Sequence, residues 1–263
     1  MIVKLAGLNI DWKLNDDGFF ADFLVNSENA EPCVMTINGP ESFGESHGIR
    51  FTQTGFSKIL HRQYGELEMM CSNEDWSYNT LYCNAYNDQR FTLPLAVICS
   101  RFSFFDTLLL HGALVDCCGN GIVFTGYSGV GKTTQAELWK KYQNAEIING
   151  DKVFVRQAND GVYCYGLPWH GSSGYCLNKS VVLTGIVVLR QGQENRITRL
   201  NSVQCMEYFM PHIFLPNWDK DSLLSALKTV DNIIEKVPVW LLECRPDEDA
   251  VSLTKNTVFK NYV

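Results

Sequence analysis

Gly121-Ile-Val-Phe-Thr-Gly126-Tyr-Ser-Gly-Val-Gly131-Lys132-Thr133-Thr134 is the stretch from which the rest of the chain is read. Its apolar start predicts a short strand and Gly-x-x-x-x-Gly-Lys-Thr a loop. Gln135-Ala-Glu-Leu-Trp-Lys-Lys141 then predicts a helix with Ala136 and Trp139 on one side. Glycines at 126, 129 and 131 let successive backbone N–H groups turn toward one point, which the positive end of the helix also faces. Polyphosphate is the ligand that such a point selects. The candidate nucleotide-binding residues are therefore Gly126, Ser128, Gly129, Val130, Gly131, Lys132, Thr133 and Thr134. Lys132 is expected to reach the terminal phosphates of ATP, and the Thr133 hydroxyl to hold a magnesium ion that bridges them. This reading needs a lysine open to its ligand; one sealed in a closed bend would undo it.

The chain around this loop has an ordinary globular composition. Its 263 residues, 46% hydrophobic and 19% charged, allow one large domain or a domain with a smaller companion. A net charge of −7, with no local run of Lys and Arg, argues against a nucleic acid held through its phosphates. The start, Met1-Ile-Val-Lys-Leu-Ala-Gly-Leu, lacks the pattern of a secretory signal. The apolar stretch from Leu93 to Val115 is broken by Arg101, Asp106 and His111, so no membrane span is expected and the cytoplasm is the expected compartment. Ten cysteines without a Cys-x-x-Cys pair read as buried, reduced thiols rather than zinc ligands.

Two regions differ in texture. Residues 1–92 carry short alternating segments at Ile2–Leu5, Phe19–Val25, Cys33–Ile37 and Leu81–Tyr86, separated by turn clusters at Asn15–Gly18 and Asn38–Glu41, which predicts a small, mostly antiparallel sheet. Trp12, Trp76 and the tyrosines at 78, 82 and 86 are either packing or a face for substrate recognition. Residues 93–263 begin with a buried helix after Pro94 and continue as alternating strands and helices, an α/β core with a mixed sheet.

Within that core, Leu108–Asp116 and Gly121–Thr125 predict a hairpin that brings His111 to the level of Gly126. A single helix then leads straight to Ala145-Glu-Ile-Ile-Asn-Gly150-Asp151, and Asp151, at the end of that strand, is the candidate metal or base carboxylate. As an acid after Asn-Gly it also fits an ordinary turn residue. His111 reads equally as a core histidine or as a participant beside the loop. His170 and His212 have nothing in their spacing to raise them above ordinary histidines.

These residues resemble the catalytic domain of HPr kinase/phosphorylase, which shares its core with phosphoenolpyruvate carboxykinase. The likeness rests on Leu110-His111-Gly112-Ala-Leu-Val-Asp, on Gly119-x-Gly121-Ile-Val-Phe-Thr-Gly126-Tyr-Ser-Gly-Val-Gly-Lys-Thr, and on Ile147-Ile-Asn-Gly150-Asp151-Lys-Val. It implies a P-loop kinase core, ATP and Mg held by Lys132 and Thr133, and His111 beside the reacting phosphate. Asp151 would serve as a catalytic carboxylate and metal ligand, and the substrate would be a protein or peptide hydroxyl. It also implies a homo-oligomer. The family's acidic pair appears here as Gly150-Asp151, so one carboxylate is missing, which passes the base role to His111 or to no residue. The arginine segment that follows in the family has no clear match among Arg156, Arg190, Arg196 and Arg245; Arg245, directly after an apolar strand, is best placed to face a cleft. The resemblance implies an ATP-dependent kinase of a Ser or Thr hydroxyl on a small protein or ribosomally made peptide. Small-molecule or carboxykinase chemistry and a nucleotide sensor without turnover are the alternatives.

Overall fold

A computed structural model describes residues 1–14, 18–26, 35–41, 57–64, 66–83 and 92–260. The chain divides into two compact units, Met1–Phe105 with Pro216–Leu223, and Asp106–Leu215 with Leu224–Val263. Asn15–Asp17, Cys33–Val34 and Asn84–Tyr86, which fall in predicted turns and strands, lie outside the described residues.

In the first unit, β1 (Ile2–Leu5) and β2 (Leu8–Trp12) form a hairpin whose turn residues, Ala6 and Gly7, have φ of 51° and 75°. Positive φ at both positions matches the twist of the paired strands. β3 (Leu24–Val25), β4 (Met35–Glu41), β5 (Lys58–Tyr64), β6 (Glu66–Ser72) and β7 (Tyr78–Cys83) complete a mixed seven-stranded sheet in the order β3-β1-β2-β4-β7-β6-β5. Among the described residues of this unit, only β2–β4 and β4–β7 pair in parallel.

Two predicted segments are corrected. Phe19–Val25 holds a 3-10 helix at Ala21–Phe23 before the two-residue β3. Phe20 and Phe23 are both 1% exposed, and the three-residue repeat of a 3-10 turn puts them on one side as a strand would not. Asn38–Glu41, read as a turn, lies inside β4, whose pairing with β7 shifts register between Asn38 and Glu41. Pro40 has no N–H for a ladder, and a shift is where a sheet tolerates one.

Trp12 and Trp76 are buried, so they pack rather than face a partner, whereas Tyr78 is exposed. Helix α1 (Leu93–Ser103), with Pro94 in its first turn and Val97, Ile98 and Phe102 buried, belongs to this first unit. Compactness therefore ends the unit after Phe105, past the 92/93 change of texture. Asp219, in the Pro216–Leu223 segment, accepts hydrogen bonds from Lys58 at 2.8 Å, Trp76 at 3.2 Å and the Ser222 hydroxyl at 2.6 Å.

The second unit opens with β8 (Thr107–Cys117) and β9 (Asn120–Thr125), joined by a turn with Cys118 and Gly119 at φ 55° and 83°. Then come α2 (Lys132–Gln143), β10 (Glu146–Asn149), β11 (Lys152–Ala158), β12 (Gly161–Tyr165), β13 (Ser180–Gln191), β14 (Arg196–Arg199), α3 (Ser202–Tyr208), α4 (Lys220–Lys236, in this unit from Leu224), β15 (Val239–Cys244) and α5 (Glu248–Val258). Asn201 and Gln204 form a reciprocal capping box at the start of α3. Pairing runs β8–β9, β9–β13, β13–β12, β12–β11 and β11–β8, so this part of the sheet closes on itself. The sheet is mixed: β9, β13 and β15 are parallel neighbours, and the remaining pairs are antiparallel.

Strand alternation sorts side chains between two cores. Ala113, Val115, Ile122 and Phe124 face Trp139 of α2 and Val251 of α5, while Leu108, Leu110, Leu114 and Val123 face the opposite core with Ala226, Val230 and Ile233 of α4. Along β13 the second core takes Val181 and Leu183, then Ile186 and Val188; the register shift between Leu183 and Gly185 makes that change of parity possible. Among the described residues, Cys71, Cys99, Cys117, Cys164 and Cys205 are buried free thiols, and no helix is long and apolar enough to cross a membrane.

Candidate functional site

The three parallel strands β9, β13 and β15 end on one edge of the sheet, with Thr125 beside Val188 and Gln191 beside Cys244. Carboxyl ends of parallel strands are where open α/β sheets leave room for ligands. The loop Gly126–Gly131 runs from the end of β9 to the start of α2 along this edge. Gly126 and Gly131 have φ of 146° and 114°, a region closed to most side chains, and a Cβ on Gly126 would sit 2.9 Å from Val130 Cγ1. Ser128 and Gly129 are exposed, as is Thr134 on the first turn of α2.

Lys132 departs from the open arm that the sequence reading needs. It is 8% exposed, and its ammonium donates to Gly126 O at 3.1 Å and Tyr127 O at 3.2 Å. Both acceptors are neutral, and among the described residues no carboxylate pairs with it. Burial pulls its pKa down, and the charge of Asp151 opposes that shift. The loop itself is not sealed. A cavity of about 560 Å³ is lined by Gly129, Val130, Gly131, Gln135, Gln191 and Arg245 among others, and one of about 620 Å³ by Tyr127, Ser128, Val130, Arg190, Tyr208 and His212 among others. Gln135 is 3% exposed, and among the described residues its Oε1 has no partner. Arg245 does line a cleft, as expected, while pairing with Asp247 at 2.9 Å.

The antiparallel register of β8 and β11 sets Lys152 opposite His111. Asp151, one residue earlier, is fixed by Gly112 N–H donating to its carbonyl at 2.9 Å and by its own N–H donating to Asn149 Oδ1 at 2.9 Å. Its Oδ1 lies 3.2 Å from His111 Nε2, and its Oδ2 pairs with the Lys152 ammonium. The hydrogen bond from His111, helped by Lys152 and opposed by burial, holds the Asp151 carboxyl well below the usual carboxylate range. The Thr133 hydroxyl donates to Gly150 O at 3.4 Å, which brings the first turn of α2 to the backbone before Asp151.

Gly150 marks the missing second acid, and its surroundings are filled. A Cβ there would meet Ser173 Oγ at 2.2 Å and Ser173 Cβ at 2.5 Å, while the Ser173 hydroxyl donates to His170 O at 2.7 Å. Gly171, at φ 59°, lies so close that its own Cβ would be 3.0 Å from the Asp151 carboxyl carbon. The small-residue loop after Trp169 thus covers Gly150 and Asp151.

His212 is the residue that spacing passed over. An isolated bridge between Leu110 and Ile213, with Phe214 N–H donating to Leu109 O at 2.9 Å, lays this segment beside β8. His212 is 5% exposed, with its ring 4.9 Å from Tyr127; burial, then His111 and Lys132, lower its pKa. Phe214 lies 6.5 Å from the His111 ring and 6.0 Å from the Lys152 ammonium. No sequence signal announces a contact made by such a late bridge. The Gly126–Thr134 loop, His111 and Asp151 therefore lie together, with Lys152, His212, Tyr127 and Phe214 beside them.

No family model matches the chain. An HPr kinase/phosphorylase from Geobacillus sp. (strain WCH70) is 41% identical over 63 residues, 24% of this chain and 20% of that protein's length. The HPr(Ser) kinase/phosphatase structure from Coxiella burnetii shares 11% identity at a TM-score of 0.34, covering 59% of this chain and 89% of its own. At that score the likeness assigns no residue roles. The curated match spans about a fifth of its relative, and over that span the chain is similar to HPr kinase/phosphorylase.

Proposed function

We propose that the chain is an Mg-ATP-dependent phosphotransferase built on a P-loop, which phosphorylates a Ser or Thr hydroxyl of a small protein or peptide. The observation that carries this reading is a glycine loop, left-handed at Gly126, Gly129 and Gly131, that joins the carboxyl end of β9 to the start of α2 beside open cavities. The backbone N–H groups of the loop and of the α2 start favour a phosphate, and Lys132, which among the described residues is held by two neutral carbonyls, is drawn to an anion. On this reading Lys132 leaves Gly126 O and Tyr127 O for the terminal phosphates. The cavity beside Gln135 and Arg245 takes the nucleoside.

Thr133 and Asp151 offer a hydroxyl and a carboxylate, hard oxygen donors of the kind magnesium prefers, alongside phosphate oxygens and water. Bound there, magnesium would neutralise charge on the phosphates. Asp151 itself is a weak base, because its pKa lies far below neutrality. The proton of the acceptor hydroxyl falls to His111, whose Nε2–H donates to Asp151 and whose Nδ1 then carries the lone pair. Phosphoryl transfer depends chiefly on positioning and charge neutralisation, so one missing acid is compatible with turnover.

The space taken by Ser173 beside Gly150 favours one further reading, a nucleotide sensor without turnover. Purified protein incubated with γ-labelled ATP, magnesium and a cell extract separates the two. Labelled polypeptide that disappears with Lys132→Ala supports the kinase. Nucleotide binding without transfer supports the sensor, and transfer to a small molecule sinks the polypeptide substrate.

A further inference from the structure

Each carboxylate oxygen of Asp151 already has a partner. His111 Nε2 is at Oδ1 and the Lys152 ammonium is at Oδ2, while the Thr133 hydroxyl points at Gly150 O. A divalent cation that takes a remaining lone pair of Asp151 meets the positive charge of Lys152 on the same carboxylate, and that repulsion drives the ammonium away. The displaced ammonium is 23% exposed and sits on a strand end opposite His111, facing the Phe214 ring at 6.0 Å. Among the described residues, Asp151 is the sole carboxylate paired with it. A lysine on a flexible stem, set free at the place where phosphate charge would accumulate, has one natural partner.

We infer that Lys152 is a second phosphate-binding cation, which holds Asp151 in the protein alone and exchanges it for the transferable phosphate when a divalent metal takes the carboxylate. This inference rests on the Mg-ATP reading above. It gives metal and nucleotide a mutual dependence. Metal alone breaks an ion pair and offers the ammonium nothing in return, whereas metal with triphosphate satisfies both ends of the broken pair. Each ligand must then tighten the other by the same factor.

The test uses Mn²⁺ as the metal probe, followed by electron paramagnetic resonance of the free ion, and ATP followed by calorimetry with and without Mn²⁺. For Lys152→Met, the two affinities are expected to move in opposite directions. Mn²⁺ alone binds ~5-fold or more tightly, ATP with Mn²⁺ binds ~5-fold or more weakly, and the coupling between them shrinks accordingly. Lys152→Arg, which keeps the charge, is expected to retain most of the coupling. A purely structural lysine would weaken both ligands together or leave both unchanged, and either result overturns the inference. Wild-type protein that binds neither ATP nor Mn²⁺ refutes the Mg-ATP reading and the inference together. Wild-type binding with coupling intact in Lys152→Met refutes the inference alone.

Discussion

Replacing Gly150 with alanine is the perturbation whose cost is most directly worked from the geometry. The new methyl would lie 2.2 Å from Ser173 Oγ and 2.5 Å from Ser173 Cβ. Carbon atoms in contact settle at about 3.5–4.0 Å, so Ser173 has to retreat by about 1 Å or more. That retreat strains the hydrogen bond from Ser173 Oγ to His170 O at 2.7 Å. Losing it costs about 1 kcal/mol, and overpacking adds about 1–3 kcal/mol. Urea unfolding should therefore show Gly150→Ala destabilised by about 2–4 kcal/mol with an unchanged slope. Ser173→Gly removes both clashing atoms, so the double variant should resemble Ser173→Gly alone, giving a coupling of about 1 kcal/mol or more. A Gly150→Ala protein within about 0.5 kcal/mol of wild type, or strict additivity, would refute this account of the missing acid. By the same reasoning, Gly150→Asp will not raise turnover, because the carboxylate has no place to stand.

Other outcomes follow from the packing and the ion pairs. Trp139 is fully buried between Phe124 and Phe259, with ring centroids 5.9 Å from each, so Trp139→Ala should cost about 3–5 kcal/mol in the same denaturation assay. Burial raises the Asp219 carboxyl, but hydrogen bonds from Lys58, Ser222 and Trp76 outweigh it and bring the pKa to about 2. Because the folded value lies below the unfolded one of about 3.9, the ionised carboxylate contributes stability above pH ~4, which is lost as pH falls toward the folded value. Asp219→Asn should flatten the urea midpoint between about pH 4 and pH 2, and an unchanged acid slope would contradict that assignment.

How far the sequence reached depends on the range of each interaction. The β8–β9 hairpin and the helix bearing Ala136 and Trp139 follow from local pattern, whereas the approach of His111 to Asp151 comes from the register of β11 on β8. The segments that went astray obey constraints from elsewhere in the chain. Phe20 packs on Trp12 at 4.6 Å, which turns a would-be strand into a 3-10 helix, and the partner strand β7 keeps Asn38–Glu41 extended. His212 reaches the site through a bridge to Leu110, and Ser173 fills the space beside Gly150 from a loop more than twenty residues away. The inward turn of Lys132 is a side-chain choice made by two carbonyls, and no residue pattern encodes it.

Titration of the purified chain with ATP at millimolar magnesium, by calorimetry, tests the central claim most directly. Saturable one-site uptake that Lys132→Ala weakens at least ~10-fold, about 1.4 kcal/mol, is the predicted result. No uptake by the wild type, or equal uptake by both proteins, would show that the glycine loop does not hold a triphosphate.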